Sequence, residues 1–288
     1  MRRTLLFGLV MTAILTAATT SHAQALTGTL KKVNDTRTLT IGYRETALPF
    51  SYTGSDGKPA GYSIDLSQEI AIAVQQELRL PSLAVRWVPV TPENRVDAVA
   101  NGTVDIECGT TTASLSRQEK VDFTLMTFVD GASILIPEGS GIRVAADLTG
   151  KRIGVVKGTT TEKVMAEYLR EQSIGATLVP AKDHDEGLAA LQASRVDAYA
   201  SDRVILVGLV LQARGTQRYV LIPETLSYEP YAFMIRRDDS AFRLVANRTL
   251  ARIYRSGAIG AIYAKWFGAL GRLTPALLLM YAVQGLPE

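Results

Sequence analysis

The chain has 288 residues, of which 47% are hydrophobic and 20% are charged, with 31 Lys and Arg against 28 Asp and Glu. This length is sufficient for two domains, and the near balance of charge excludes the basic surface that nucleic acid binding requires. The single cysteine, Cys108, excludes an intrachain disulfide, so the fold has to depend on a hydrophobic core.

Residues 1–23 have the organisation of a secretory signal peptide. A basic start at residues 1–3 precedes an apolar run at 5–15, and small residues lead to a cleavage site after Ala23 or Ala25. The apolar run is shorter than the roughly 20 residues of a spanning helix, which argues against a membrane anchor. Cleavage would remove two arginines and no acidic residue, which leaves a net charge of +1. We therefore predict a periplasmic protein.

Strands and helices are predicted to alternate along the rest of the chain. The first series is a strand at 39–43, a helix at 65–79, a strand at 84–90 and a helix that has Thr91 as N-cap, Pro92 at its first position and its end at 101–102. A second series is a strand at 152–156, a turn at 158–160, a helix to about residue 172, a strand at 177–179, a helix at 185–193 and a strand at 198–201. Two such series predict two α/β lobes.

Extended stretches at 128–136 and 227–235 are long enough to cross between the lobes. If the second lobe is inserted between these crossings, residues 26–130 and 231–288 form lobe 1, and residues 131–230 form lobe 2. We predict this division of the chain.

The segment from Asp105 to Arg117 predicts a site for the carboxylate of a free amino acid. An apolar strand ends at Gly109, three threonines follow, and an arginine comes seven residues after Thr110. Exposed backbone N–H groups, hydroxyls and a guanidinium fork are the groups that bind a carboxylate. The segment contains no nucleophile with a base. An alternative is a threonine-rich turn with ordinary local hydrogen bonds.

A set of motifs spread over nearly the whole mature chain, in order, resembles the glutamate/aspartate-binding members of the polar amino-acid solute-binding proteins (family 3) of bacterial ABC importers. The motifs are Gly42-Tyr43-Arg44-Glu45, Leu48-Pro49-Phe50-Ser51-Tyr52, Gly61-Tyr62-Ser63, Thr91-Pro92-Glu93-Asn94-Arg95, Glu107 to Thr112, Gly158-Thr159-Thr160, Ala181-Lys182-Asp183-His184 and Ser201-Asp202.

The resemblance implies the type II periplasmic binding protein fold, an α/β fold with two lobes, two hinge crossovers and a central ligand cleft. It implies a monomer that captures L-glutamate or L-aspartate and delivers it to a membrane permease, without enzyme activity, metal or cofactor. It further implies that Thr112 and Arg117 hold the ligand α-carboxylate and that Thr110 and Asp202 hold the α-amino group. From the residues alone, Arg117 is typical of a solvated surface charge and Asp202 of a helix N-cap.

The side-chain end of the ligand is assigned to Arg44, Arg95 and His184. Two guanidiniums that converge on one point repel each other unless an anion joins them. In relatives that take basic amino acids, the position that matches Arg44 is acidic. The alternative is that each arginine pairs with a nearby carboxylate such as Glu45 or Glu93. His184 fits the family residue that touches the distal carboxylate, although a lone histidine is usually a polar residue near the surface.

Thr160 is predicted to contact the ligand from the second lobe. It lies where a glycine turn enters a helix, and Thr159 and Glu162 have the spacing of a capping box. Exposed N–H groups at a helix start favour an anion. Capping alone is the alternative.

The chain departs from the family pattern at two positions in the pocket. Pro92 stands where a similar family member has a hydroxyl that helps to bind the ligand, and Ala47 stands where many members have an aromatic residue over the ligand. Phe50 is expected to supply packing instead, and Cys108 to be a buried apolar residue rather than a reactive thiol.

Two other classes of function remain open at this point. Periplasmic enzymes have arisen on the same scaffold, but a Cys-His pair would require Cys108 and His184 to meet across the lobes. The sequence has no Ser-His-Asp spacing and no phosphate loop. A receptor sensing module is disfavoured because no transmembrane segment or signalling domain is evident. Glutamate and aspartate stay undistinguished, because one methylene is worth only about 1–3 kcal/mol.

Overall fold

A computed structural model describes residues 25–213 and 216–287, so the predicted signal peptide lies outside the described residues. The strands in this part of the chain are β1 Thr38–Tyr43, β2 Thr46–Ala47, β3 Ser51–Thr53, β4 Pro59–Ala60, β5 Ala84–Pro89, β6 Ile106–Glu107, β7 Val121–Asp130, β8 Ala132–Pro137, β9 Arg152–Val156, β10 Thr177–Ala181, β11 Ala198–Asp202, β12 Tyr219–Leu221 and β13 Glu229–Arg236.

The helices are α1 Gly28–Thr36, α2 Tyr62–Glu77, α3 Arg95–Ala100, α4 Leu115–Gln118, α5 Thr160–Glu171, α6 His184–Gln192, α7 Arg203–Gln212, α8 Ser240–Arg255, α9 Ile259–Phe267 and α10 Pro275–Gln284. Short 3-10 turns cover Ala145–Leu148 and Gly268–Leu270. Among these described helices, none combines the length and the apolar character that crossing a bilayer requires.

Two five-stranded sheets of similar topology organise the molecule. The first has the strand order β5-β1-β6-β13-β7, and the second has the order β10-β9-β11-β8-β12. In each sheet the first three strands are parallel, and the last two pairings are antiparallel. We call the bodies around these sheets lobe 1 and lobe 2. A third, three-stranded sheet consists of β2, β3 and β4, which lie between β1 and β5 along the chain.

Two segments of the chain pass between the two five-stranded sheets. β7 ends at Asp130 and β8 begins at Ala132, so Gly131 alone separates strands of different sheets. The return passes from β12 to β13, which pairs with β7 over most of its length. At Gly131, a Cβ atom would overlap Thr225 and lie 2.5 Å from Ser227 O, so the two crossings touch there. A side chain at this position would force them apart.

An aromatic cluster fills the core next to the crossings. Phe50 is fully buried, and its ring centroid lies 4.8 Å from that of Phe128 and 5.3 Å from that of Tyr231. Phe50 therefore packs within this aromatic core, and its packing against the ligand stays a prediction. Cys108 is also fully buried, as expected for an apolar residue.

The predicted start of α5 was accurate, whereas the helix after β5 was predicted to begin too early. Thr159 accepts a hydrogen bond from Glu162 N at 3.1 Å, and α5 begins directly after it. The helix predicted from Pro92 instead begins at Arg95. Thr91 and Asn94 exchange two hydrogen bonds, Asn94 N to Thr91 Oγ1 at 3.2 Å and Thr91 N to Asn94 Oδ1 at 2.8 Å, which close a separate turn before the helix.

Candidate functional site

The eight predicted site residues follow the carboxyl ends of parallel strands or begin the helices after them. In open α/β sheets this edge is where ligands bind. Arg44 follows β1, the threonine turn follows β6, Thr160 begins α5 after β9, His184 begins α6 after β10, and Asp202 ends β11. The two lobes turn these edges toward each other, since the Thr112 and Thr160 hydroxyl oxygens lie only 3.3 Å apart.

Arg44 and Arg95 are buried together between the lobes. Their exposed fractions are 3% and 2%. Burial, and next the charge of Arg95, lower the pKa of Arg44 to about 9. The Nε and Nη1 atoms of Arg95 are buried without a hydrogen-bond partner. Such an arrangement of cations calls for an anion.

The alternative partners do not neutralise these arginines. Glu93 forms its ion pair with Lys157, at 2.8 Å between Oε1 and Nζ. No ion pair joins Arg44 or Arg95 to Glu45 or Glu93 in the described part of the chain.

Glu107 is a buried carboxylate in this pocket that the sequence reasoning missed. It is 0% exposed, its Oε2 accepts from Thr111 Oγ1 at 2.8 Å, and its Oε1 has no partner. Burial raises the pKa of Glu107, and the charge of Arg95 is the strongest opposing influence. An acidic residue at the end of an apolar strand was the available signal. Gly109 makes room for it, because a Cβ there would overlap Glu107 Oε1 and lie 2.9 Å from Arg44 Cγ.

His184 is neutral and oriented. Its Nδ1 lies 2.8 Å from the Tyr199 hydroxyl, and its backbone N donates to Thr46 Oγ1 across the lobes at 3.4 Å. Burial, followed by Arg44 and Arg95, lowers the pKa of His184 to about 3. If Tyr199 donates to Nδ1, Nε2 carries the hydrogen and can donate to an anion.

Arg117 is not a solvated surface charge. It is half-buried, and its Nη1 donates to the carbonyl oxygen of Thr112 at 2.8 Å. Burial and then Arg95 lower the pKa of Arg117 to about 10. Thr110 is buried in the same turn. Arg117 therefore adds a third, partly buried cation to this side of the cleft, within the electrostatic reach of Arg95.

Asp202 occupies the N-cap position of α7, but its side chain does not cap the helix. Its Oδ1 accepts from Thr161 Oγ1 at 3.1 Å, and its Oδ2 accepts from the Tyr231 hydroxyl. Burial, then Glu229 and Asp130, raise the pKa of Asp202 to about 7. Three carboxylates this close form a place for a cation.

Glu229 is the second carboxylate that sequence reasoning missed. It is 1% exposed at the start of β13, and its Oε1 accepts from Ser227 Oγ at 2.6 Å. Its Oε2 accepts from the hydroxyls of Thr112 and Thr160. Its sequence signal is weak, since it differs from a surface acid only by the buried run that follows it.

The cleft is narrow at Pro92. A Cβ on Gly158 would lie 3.1 Å from Glu93 Cγ and 3.2 Å from the Pro92 carbonyl carbon, so the lobes touch there. On one side an open groove of about 640 Å³ reaches Arg117 and Thr160, and on the other a cavity of about 100 Å³ reaches Arg44. Pro92 lines both, in place of the hydroxyl expected from relatives.

Comparisons with known proteins place the chain among bacterial solute-binding proteins. The family model for bacterial extracellular solute-binding proteins, family 3, matches residues 39–269. The L-glutamate/L-aspartate-binding protein of Pseudomonas aeruginosa is 39% identical over 262 residues, which are 90% of this chain and 87% of that protein. The glutamate/aspartate import solute-binding protein of Escherichia coli K12 is 34% identical over 245 residues, 85% of this chain and 81% of that protein.

A solved structure extends the likeness to the fold. The ABC uptake transporter substrate-binding protein of Streptococcus pneumoniae, solved with bound histidine, is 25% identical and superposes with a TM-score of 0.74. The match covers 83% of this chain and 95% of that chain.

Proposed function

Because the chain belongs to the bacterial extracellular solute-binding proteins of family 3, we propose that it captures one acidic L-amino acid, glutamate or aspartate, and delivers it to the permease of an ABC importer. The names of the Pseudomonas aeruginosa and Escherichia coli relatives support this ligand class. The family membership and the names of the relatives are independent of the pocket geometry. The charges of the pocket also favour an acidic ligand.

The observation that carries the ligand assignment is the pair of buried arginines, Arg44 and Arg95, of which Arg95 has two N–H-bearing atoms without a hydrogen-bond partner. Arg44 and Arg95 face one region, and the neutral His184 lies against them. A ligand carboxylate there would accept charge-assisted hydrogen bonds and remove the repulsion between the guanidiniums. Glu107 offsets part of their charge, which leaves room for one further negative charge rather than two.

The remaining contacts suit the part that all α-amino acids share. Thr112 and Arg117 would bind the α-carboxylate, and Thr110 and Asp202 would bind the α-ammonium group. An ammonium group has three donors and needs charged or polar acceptors once it leaves water. Thr160 would complete this end from lobe 2.

The two lobes are proposed to close around the ligand as two bodies, residues 26–130 with 231–288 and residues 131–230. Strand membership supports this division, because β1 to β7 and β13 stay out of the sheet formed by β8 to β12. Ligand contacts from both bodies favour the closed state. The protein would act as a monomer in the periplasm after cleavage of residues 1–23.

Calorimetric titration with glutamate, aspartate, glutamine and arginine tests the ligand class. Glutamine is the matched control, since it has the shape of glutamate without the distal charge. We expect glutamate to bind at least ~100-fold more tightly than glutamine, which is about 2.8 kcal/mol. Equal affinity for the two, or binding of arginine alone, would contradict the proposal. Arg117→Ala should weaken every amino acid of the panel by the same factor, because it removes a contact with the shared end.

A further inference from the structure

Glu229 accepts hydrogen bonds from both lobes through a single carboxylate oxygen. Its Oε2 accepts from the hydroxyl of Thr112 in lobe 1 and from the hydroxyl of Thr160 in lobe 2, the latter at 2.7 Å. Glu229 itself begins the returning crossing, β13. One buried carboxylate therefore holds two proposed ligand contacts that belong to different bodies.

The hydrogen count of these hydroxyls limits what they can offer a ligand. A threonine hydroxyl has one hydrogen to donate and two lone pairs that accept. Because Thr112 and Thr160 both donate to Glu229, their oxygens present lone pairs to the rest of the cleft. These two acceptors lie side by side, 3.3 Å apart. Side-by-side acceptors suit a group with several N–H donors, and they repel a carboxylate.

The backbone of Thr112 supplies what a carboxylate needs instead. Thr112 faces Tyr231 in an antiparallel bridge whose flanking hydrogen bonds measure 2.8 and 3.1 Å. In such a pair the N–H and C=O groups of the facing residue point away from the partner strand. The C=O of Thr112 accepts from Arg117, so its N–H lies on the same side as that guanidinium. The carboxylate end therefore uses the main chain of Thr112, and its hydroxyl is left for the ammonium end.

We propose that Glu229 is a positioning residue for the ligand's α-ammonium group, an inference that rests on the proposed function. By holding the Thr112 and Thr160 hydroxyls as donors, it turns their lone pairs toward the ammonium and makes tight binding depend on that group. Its own charge adds to that of Asp202 at the same end of the cleft. We therefore expect the protein to bind an acidic amino acid more tightly than a dicarboxylate of the same length that lacks the amino group.

Titration with glutamate and with glutarate, which lacks only the α-amino group, tests this role. Glu229→Met removes the acceptor and frees both hydroxyls to turn toward a carboxylate. We expect glutamate affinity to fall by at least ~10-fold and glutarate affinity to change by less than about threefold. Glu229→Gln is the matched control. Its amide oxygen can still accept from the threonines while its NH₂ donates to Ser227, so its glutamate-to-glutarate ratio should lie between those of the other two proteins.

Thr160→Val, which is nearly isosteric, provides a second variant if Glu229→Met does not fold. It removes one of the two oriented acceptors and should lower the ratio of glutamate affinity to glutarate affinity, as Glu229→Met does. Equal losses for glutamate and glutarate in Glu229→Met or Thr160→Val would show a merely structural role and overturn the inference. A wild-type protein that binds no acidic amino acid would instead overturn the proposed function, so the two failures are distinguishable.

Discussion

Arg44 is expected to weaken the fold while it serves the ligand. Burial, and next the charge of Arg95, lower the pKa of its guanidinium to about 9. A lowered pKa for a cation means that the folded state disfavours the charge, here by on the order of 5 kcal/mol relative to water. The cost is fully present at pH 7, where the guanidinium is protonated in both the folded and the unfolded protein, and it is relieved only as the pH rises above about 9.

Arg44→Met removes this charge and keeps an apolar stem of similar length. The lowered pKa already includes the attraction to Glu107. Because replacing a buried charge by an apolar side chain typically stabilises by no more than a few kcal/mol, we expect the ligand-free protein to gain about 1–3 kcal/mol in the free energy of unfolding. That corresponds to a rise of roughly 2–4 °C in Tm for each kcal/mol. Glutamate affinity should nevertheless fall by at least ~100-fold, because the distal carboxylate loses a charge-assisted partner in a buried site.

Arg95→Met is the matched control, and its effect on stability should have the opposite sign. After burial, the largest influence on Arg95 is the attraction of Glu107, and Arg95 is the charge that Glu107 depends on most. Its removal leaves a buried carboxylate without its main partner, a change that costs about 3–5 kcal/mol. Glutamate affinity should fall in this variant too.

Differential scanning calorimetry and titration calorimetry would measure both quantities. The proteins should be unfolded and refolded beforehand, since a bound amino acid raises Tm by itself. A Tm for Arg44→Met that falls as far as that of Arg95→Met would refute the electrostatic reasoning. Unchanged glutamate binding in Arg44→Met would refute the assignment of the distal carboxylate.

Two further predictions concern the acids of the cleft. With a pKa of about 7 for Asp202, glutamate affinity should fall by up to about tenfold per pH unit below 7, because only the ionised carboxylate attracts the ammonium. Titrations in two buffers of different ionisation enthalpy should detect proton release near pH 7, and Asp202→Asn should abolish both effects; a flat profile in the wild type would contradict this assignment. Gly109→Ala should destabilise the protein by about 1–3 kcal/mol, since the new Cβ would overlap Glu107 Oε1. Adding Glu107→Ala in a double variant should relieve that loss. A Tm of Gly109→Ala equal to that of the wild type would exclude the overlap.

Most of the fold could be predicted because its signals are local. The strand Arg152–Val156 matches its apolar run. The start of α5 follows from the local pair Thr159 and Glu162, whose side chains both accept backbone hydrogen bonds there. The helix after β5 was predicted to begin at Pro92, three residues too early. Proline is compatible with a first helical turn, but here the hydrogen bonds between Thr91 and Asn94 form a turn and the helix begins only at Arg95.

The site was harder, because its missing members depend on which strands meet. Glu107 is separated from Met234, its partner across β6 and β13, by more than a hundred positions of chain, and no local pattern records that pairing. Glu229 acquires its role only when the turn after β6 and the start of α5 come together over it. The sequence motifs identified the candidate ligand-binding side chains that lie at the ends of strands. The carboxylates that set their charge and orientation belong to the assembled cleft.

Gly131 offers a way to tune a sensor built on this protein without altering its pocket. The apparent affinity of a two-state binder is its intrinsic affinity reduced by the fraction of molecules already in the competent state. A methyl group at Gly131 presses against the returning crossing at Thr225 and Ser227, and so acts on that fraction. Substitutions at this single position would shift the working range of a fluorescent reporter while leaving its selectivity among amino acids as it is.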